Sequence, residues 1–165
     1  MTSDSPTSVR STVTVEVPRE HAFTVFTERF DTWWPRSHYS GPDQLAEAVL
    51  EPKAGGRWYS RGTDGTDREW GTVLTWDPPG RLVLGWQLDT EFHFDPDFVT
   101  EVEVVFTELG PHRTLVELEH RNLDRFGPAS TKMRDTFGGE GGWPSLIQGF
   151  AQRAEATAPI VDTRH

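Results

Sequence analysis

His120 closes the alternating run Val116-Glu117-Leu118-Glu119-His120, which puts it on the same side of an extended chain as Val116 and Leu118. An imidazole on an apolar face has two physical uses. It can donate a hydrogen bond to a carbonyl or phenol and pass protons near neutral pH, or it can serve as a fixed polar strut satisfied by its neighbours. Both readings stay open on sequence alone. Glu91, His93, Asp95 and Asp97 alternate through one loop, but without the spacing of a HExxH or EF-hand site. Acidic loops are ordinary in a chain of net charge −10, so no metal site is expected there. Ser145 lies in Gly-Trp-Pro-Ser-Leu, not in the sharp G-x-S-x-G turn of a serine nucleophile. The run from Gly138 to Gly142 lacks the Lys and Ser/Thr of a phosphate loop, and no cofactor is expected. With no cysteine, thiolate nucleophiles, thiolate metal sites and disulfides are excluded.

The aromatic content says more. Seven Trp and ten Phe in 165 residues supply large apolar areas that line clefts as readily as they fill cores. Trp34, Trp58, Trp86 and Trp143 are the candidates for stacking on a flat molecule, with His120 or Tyr59 to orient it. Val102, Val104 and Phe106 share one face of a strand, as do Val116, Leu118 and His120 on the next. Both sets should meet a helical stripe of Trp143, Ile147 and Phe150. These residues are either plain core or the wall of an apolar pocket for a hydrophobic small molecule.

The elements that position them follow from periodicity and turn signals. Val9 to Val17 alternates as a strand, and Pro18 then opens a helical pattern carrying Ala22, Phe23, Phe26 and Phe30. A second short helix is expected over residues 31–34, stopping at Pro35, with a loop over 36–44. Six strands follow, over 45–51, 56–61, 69–76, 81–88, 98–109 and 113–122, separated by short turns that make the sheet antiparallel. Residues 123–142 read as a loop, and 143–156 as an amphipathic helix. The fold class is α+β: a curved antiparallel sheet of six to seven strands wrapped around a long C-terminal helix, with two short helices after strand 1. That terminal helix is expected to cover the apolar face of the sheet, since nothing else is long enough. One domain is expected over 9–156, with flexible tails at 1–8 and 157–165.

Charge excludes some partners. A chain of net charge −10 without a Lys/Arg cluster is unsuited to nucleic acid and to anionic membrane surfaces. No apolar run approaches a membrane span and no signal-peptide core is evident, so a cytoplasmic protein, monomeric or weakly dimeric, is expected.

Several motifs in order carry a resemblance: Phe30-Asp31-Thr32-Trp33-Trp34-Pro35, Gly55-Gly56-Arg57-Trp58, Trp70-Gly71-Thr72-Val73, Asp77-Pro78-Pro79-Gly80-Arg81-Leu82, Val116-Glu117-Leu118-Glu119-His120 and Gly142-Trp143-Pro144. Together they resemble the START-like helix-grip (SRPBCC, Bet v 1-like) superfamily, and within it the proteins similar to the activator of Hsp90 ATPase. The match extends from Val9 to Phe150. With Leu82-Val83-Leu84-Gly85-Trp86 and Asp124-Arg125-Phe126-Gly127, the chain is most similar to the self-resistance proteins of enediyne producers. That resemblance implies an internal cavity for a polyketide or enediyne-type natural product, held for sequestration, transport or self-sacrifice. It also implies a counterpart of the sacrificial glycine at Gly110, a residue equally explained as a turn glycine with a permissive φ. The superfamily further implies a cyclase or aromatase using a cavity histidine, here His120, as the alternative. A co-chaperone module of Hsp90 type is a third reading, in a chain that reads as the helix-grip part alone.

Overall fold

The computed structural model describes residues 8–34, 45–63, 65–90, 93–139 and 142–157. The expected loop at 36–44, Glu91, residues 140–141 of the glycine-rich run, and all but Ser8 and Thr157 of the two expected tails lie outside these residues. Strands β1 (Val9–Val15), β2 (Leu45–Leu50), β3 (Arg57–Gly62), β4 (Asp67–Asp77), β5 (Arg81–Trp86), β6 (Thr100–Gly110) and β7 (Arg113–Arg121) form one curled antiparallel sheet in the order β1-β7-β6-β5-β4-β3-β2. Each strand from β2 to β7 pairs with its sequence neighbour, as the short turns demand. Only β1 reaches across, docking on β7 from Val9 opposite His120 to Val15 opposite Thr114. Register shifts interrupt the β2/β3, β3/β4, β4/β5 and β6/β7 ladders. Such irregularities bend strands and increase twist, which lets a seven-stranded sheet curl.

The alternation in β6 and β7 sorts the two faces as expected. Val102, Val104, Phe106, Val116, Leu118 and His120 are buried on the inner face. Glu101, Glu103, Glu117, Glu119 and Arg121 take the outer face, where Arg121 pairs with Glu101 at 2.8 Å and Glu103 at 3.2 Å, and Arg81 with Glu103 at 2.7 Å.

Helices α1 (Arg19–Thr27) and α2 (Phe30–Trp33) carry the chain from β1 to β2, and the terminal helix α4 (Trp143–Ala156) lies inside the curl. The stripe of α4 is buried as expected, with Trp143, Leu146, Ile147, Phe150, Ala151 and Ala154 all inaccessible. It does not cover the sheet alone. Phe23 and Phe26 of α1 meet Phe106 edge to face at centroid distances of 5.2 and 5.9 Å, and Phe26 also touches Phe150. The nine-residue α1 buries more than its length suggests because most of its face is large and apolar.

A further difference is helix α3 (Ser130–Gly138), preceded by a 3-10 segment at Leu123–Ala129, in the stretch expected to be a loop. Only Met133 and Phe137 of α3 are buried, one helical turn apart. Two apolar residues among Ser, Thr, Lys and Arg are a faint helical signal, and their docking on the sheet supplies what propensity does not.

Gly71 shows how tightly β4 and β5 approach. A Cβ placed there would lie 1.6 Å from the carbonyl oxygen of Gly85, a backbone atom that cannot move unless the strands part. Gly71→Ala is therefore expected to lower unfolding stability by about 3 kcal/mol or more in urea denaturation. Gly110→Ala, whose Cβ meets open space, should change it by less than about 0.5 kcal/mol.

Candidate functional site on the inner face of the sheet

The inner end of β7 delivers His120 into a shell of rings. Its imidazole lies 4.4 Å from the Phe137 ring, 5.2 Å from Trp86 and 6.0 Å from Trp143, centroid to centroid, and it is fully buried. The Trp143 indole N–H donates to Nδ1 at 3.0 Å. An indole nitrogen can only donate, so Nδ1 accepts and the single ring proton sits on Nε2. Nε2–H then donates to the Thr100 hydroxyl at 2.8 Å. The Thr100 hydroxyl in turn points at the Trp86 carbonyl at 3.5 Å, the long limit of a hydrogen bond. The chain of donors runs from α4 through β7 and β6 to β5, and it fixes one tautomer.

This shell offers nothing to stabilise an imidazolium. Burial pushes the His120 pKa down to about 3 from its ordinary value near 6.5, so the ring is neutral at physiological pH. A general base needs a free lone pair and a pKa near the working pH. His120 has neither, because its one lone pair is taken by Trp143.

Around the histidine the aromatic side chains form a continuous wall. Trp58 meets Trp86 at 5.6 Å and Trp70 at 5.4 Å; Trp34 stacks on Phe30 at 5.0 Å and tilts against Trp70 at 5.1 Å. Trp143 approaches Trp86 at 5.9 Å and Trp34 at 6.3 Å. Each such pair adds about 0.5–1.5 kcal/mol beyond the area it buries. On this face the indole N–H groups of Trp58 and Trp86, the Ser60 hydroxyl and, opposite Ser60, the Nε–H of Arg68 have no hydrogen-bond partner. Trp58 is 0%, Ser60 1% and Trp86 6% exposed, so bulk water does not satisfy them. Trp58 and Ser60 point inward from β3 two residues apart, and Trp58 and Trp86 flank Gly71, opposite Trp58 on one side and Trp86 on the other.

The sequence-predicted residues separate into two groups. Trp34, Trp58, Trp86, Val102, Val104, Phe106, Val116, Leu118, His120, Trp143, Ile147 and Phe150 are all buried in one core cluster or, for His120, within it. Tyr59 is not among them. It points to the outer face, where the guanidinium of Arg57 lies 4.0 Å from its ring centroid and Arg61 donates to its hydroxyl at 3.3 Å. Strand alternation decides this: with Trp58 inward, Tyr59 must face out. Gly110 is also apart, ending β6 ten residues from Thr100, about 30 Å along an extended strand. Its φ is not positive, so the permissive backbone expected of it is not what the turn uses. In the acidic loop, the Asp89 and Asp95 carboxylates accept from the backbone N–H groups of His93 and Asp97, which is turn chemistry.

Thr100, Ser60 and Phe137 were not singled out from the sequence. Thr100 and Ser60 share the inward parity of Val102 and Trp58, so alternation alone could have found them. Phe137 was hidden in the segment read as a loop.

Residues 16–155 match the protein family described as activator of Hsp90 ATPase homolog 1-like protein. No curated protein matches the chain. Among solved structures it is similar to an anthrahydroquino-gamma-pyrone synthase complexed with SUM, with 36% identity over 90% of this chain and 99% of that one and a TM-score of 0.63. It is similar also to CalC, a self-sacrificing resistance protein from Micromonospora echinospora, with 33% identity over 93% and 97% of the two chains and a TM-score of 0.70. A protein of Nitrosomonas europaea shares the fold at 15% identity, over 94% and 99% of the chains, with a TM-score of 0.67. No helix among the described residues is long and apolar enough to cross a membrane.

The depressed pKa of His120 has a sign that can be checked. The folded state keeps the ring neutral down to about pH 3, whereas the unfolded chain takes up a proton near pH 6.5, so this contribution to stability is present above pH 6.5 and is lost as pH falls. Between pH 7 and pH 5 the loss is about 2 kcal/mol. His120→Gln should cost about 1–3 kcal/mol at pH 7 through its broken hydrogen bonds. Its urea-denaturation stability should then fall by about 2 kcal/mol less than the wild type's between pH 7 and pH 5; an identical fall in both would show that His120 is not the buried neutral group.

Proposed function

The chain belongs to the activator of Hsp90 ATPase homolog 1-like family, and from the site its fold builds we propose that it binds a hydrophobic aromatic small molecule, of polyketide or enediyne type, on the inner face of the sheet. The observation that carries this reading is the continuous wall of indole and phenyl rings from Trp34 through Trp58 and Trp86 to Trp143, on the concave side of a curled sheet. Flat rings meeting a wall of this kind gain offset or edge-to-face contacts of the sort the wall already makes with itself. The likeness to a self-sacrificing resistance protein and to a synthase, both above 30% identity over most of the chain, supports a natural product as the ligand.

Holding the molecule, for resistance or carriage, fits the site better than transforming it. Among the described residues, the one histidine of the inner face, His120, has both ring nitrogens engaged and stays neutral, so it has no proton-transfer role in the state described. Sequestration also fits better than cleavage at Gly110, which sits on the hairpin at the far end of β6 from the rings. The second reading is a synthase or cyclase, favoured by the 36% identity to the pyrone synthase. There His120 Nε2–H would exchange its Thr100 bond for one to a substrate carbonyl.

Titration with 1,8-dihydroxyanthraquinone and an enediyne should quench the intrinsic Trp fluorescence with a Kd in the micromolar range or below. Native mass spectrometry after incubation should then find the complex with chain and ligand both intact. No quenching by either compound would sink the binding reading. A converted ligand, with conversion falling about a hundredfold or more in His120→Gln, would establish the synthase reading instead.

A further inference from the structure

The alternation that turns Asp67 and Glu69 of β4 outward turns Arg68, between them, inward. Both flanking carboxylates are engaged on the outer face, Glu69 by Arg57 at 2.8 Å and Asp67 by Arg61 at 2.9 Å. Arg68 stands opposite Ser60 of β3, and the same cross-strand row continues to Ala48 of β2. Two residues along each strand on this face lie Trp58 and Trp70, whose rings meet at 5.4 Å in the aromatic wall. None of these four neighbours carries a charge. Among the described residues no ion pair joins Arg68 to a carboxylate. Its Nε–H has no hydrogen-bond partner, and even the facing Ser60 hydroxyl is not drawn to it.

A guanidinium is permanently charged, so this one adds a cation to a face otherwise built of rings. Arg68 is half-buried: Nε lies below the surface, while the side chain as a whole keeps solvent access. A ligand group can therefore come to it, as it cannot to the indole N–H groups of Trp58 and Trp86. Water alone serves a half-buried cation poorly, and a carboxylate serves it best, through short charge-assisted bonds about twice as strong as neutral ones. One guanidinium among uncharged neighbours matches a single negative charge. A phosphate dianion would bring a second charge into a chain of net charge −10, with no cation among those neighbours to meet it.

We propose that the aromatic molecule held on the inner face is an acid carrying one carboxylate, and that Arg68 anchors that group at the β2–β4 end of the face. The proposal rests on the binding reading above and deepens it, since it names the charge of the ligand and the side chain that selects it. The rings of the ligand lie toward Trp58 and Trp70, and its carboxylate supplies the partner that Arg68 lacks in the free protein. A neutral ring of the same size leaves the guanidinium unpaired, and a cationic one meets like charge. Selection by this anchor is a difference in charge pairing and not in buried area.

The test uses 1,8-dihydroxyanthraquinone, its 3-carboxylate and its 3-carboxamide, each titrated into the full chain at pH 7 by Trp fluorescence. The carboxylate should bind at least about tenfold more tightly than the carboxamide, which has the same shape and no charge, and than the parent compound. Arg68→Gln should weaken the carboxylate about tenfold or more while leaving the parent compound within about twofold, a pattern that a general loss of structure would not produce. Arg68→Lys keeps the charge without the planar fork, and should retain a preference for the carboxylate over the carboxamide of about threefold. Equal affinity of the wild type for carboxylate and carboxamide overturns the proposal while the binding reading stands. An unchanged carboxylate affinity in Arg68→Gln does the same, as does an equal loss of carboxylate and parent compound in both variants. Failure of all three compounds to bind the wild type overturns the proposal and counts against the binding reading together with it.

Discussion

A neutral imidazole, held on both sides, joins the four elements on which the inner face depends. Trp143 at the start of α4 donates to His120 on β7, His120 to Thr100 on β6, and Thr100 reaches the backbone of β5. Each bond is modest in net terms, about 1 kcal/mol, but all lie in an apolar interior where leaving any partner out costs more than making the bond gains. The terminal helix is therefore seated at a defined depth and rotation, and the rings of Trp86, Phe137 and Trp143 close around the histidine in consequence. The same enclosure keeps it uncharged. A group that looks from its type like a proton shuttle is here a strut.

The outer face of the sheet carries the charges, with Arg81, Arg121, Arg57 and Arg61 crossing between carboxylates on neighbouring strands. These pairs are half-exposed and contribute little individually. Their effect is to gather most of the charge of β3 to β7 on the outer side, with Arg68, opposite Ser60, on the inner one. What remains unpaired on the inner side, at Trp58, Ser60, Arg68 and Trp86, stands out, because native interiors leave few such atoms unsatisfied.

Legibility in the sequence followed signal strength. The period-2 alternation of β6 and β7 is uninterrupted, and it placed Val102, Val104, Phe106, Val116, Leu118 and His120 on one face correctly. The stripe of α4 was equally plain. Tyr59 was expected to orient a ligand together with Trp58, but strand alternation puts the two on opposite faces, Tyr59 on the outer one beside Arg57 and Arg61. The helix at Ser130–Gly138 was missed because two buried residues are too few to show a period. Gly110 sits at the β6/β7 turn, as a turn glycine would, but its φ is not positive, so the turn does not draw on the permissive backbone expected of it.

Strand alternation, the amphipathic stripe and the turn residues are local properties, since each depends on side chains a few positions apart; from them the sequence by itself determined the fold class, the inner and outer faces and the aromatic character of the interior. Whether His120 would be free or bound was not local. Its two partners, Thr100 and Trp143, lie 20 and 23 residues away and meet it only when the sheet curls around α4. The same holds for the donors of Trp58 and Trp86, whose lack of partners is a property of everything packed about them. Tertiary structure alone decided those points, because hydrogen-bond satisfaction and desolvation are set by the whole environment of an atom and not by its place in the chain.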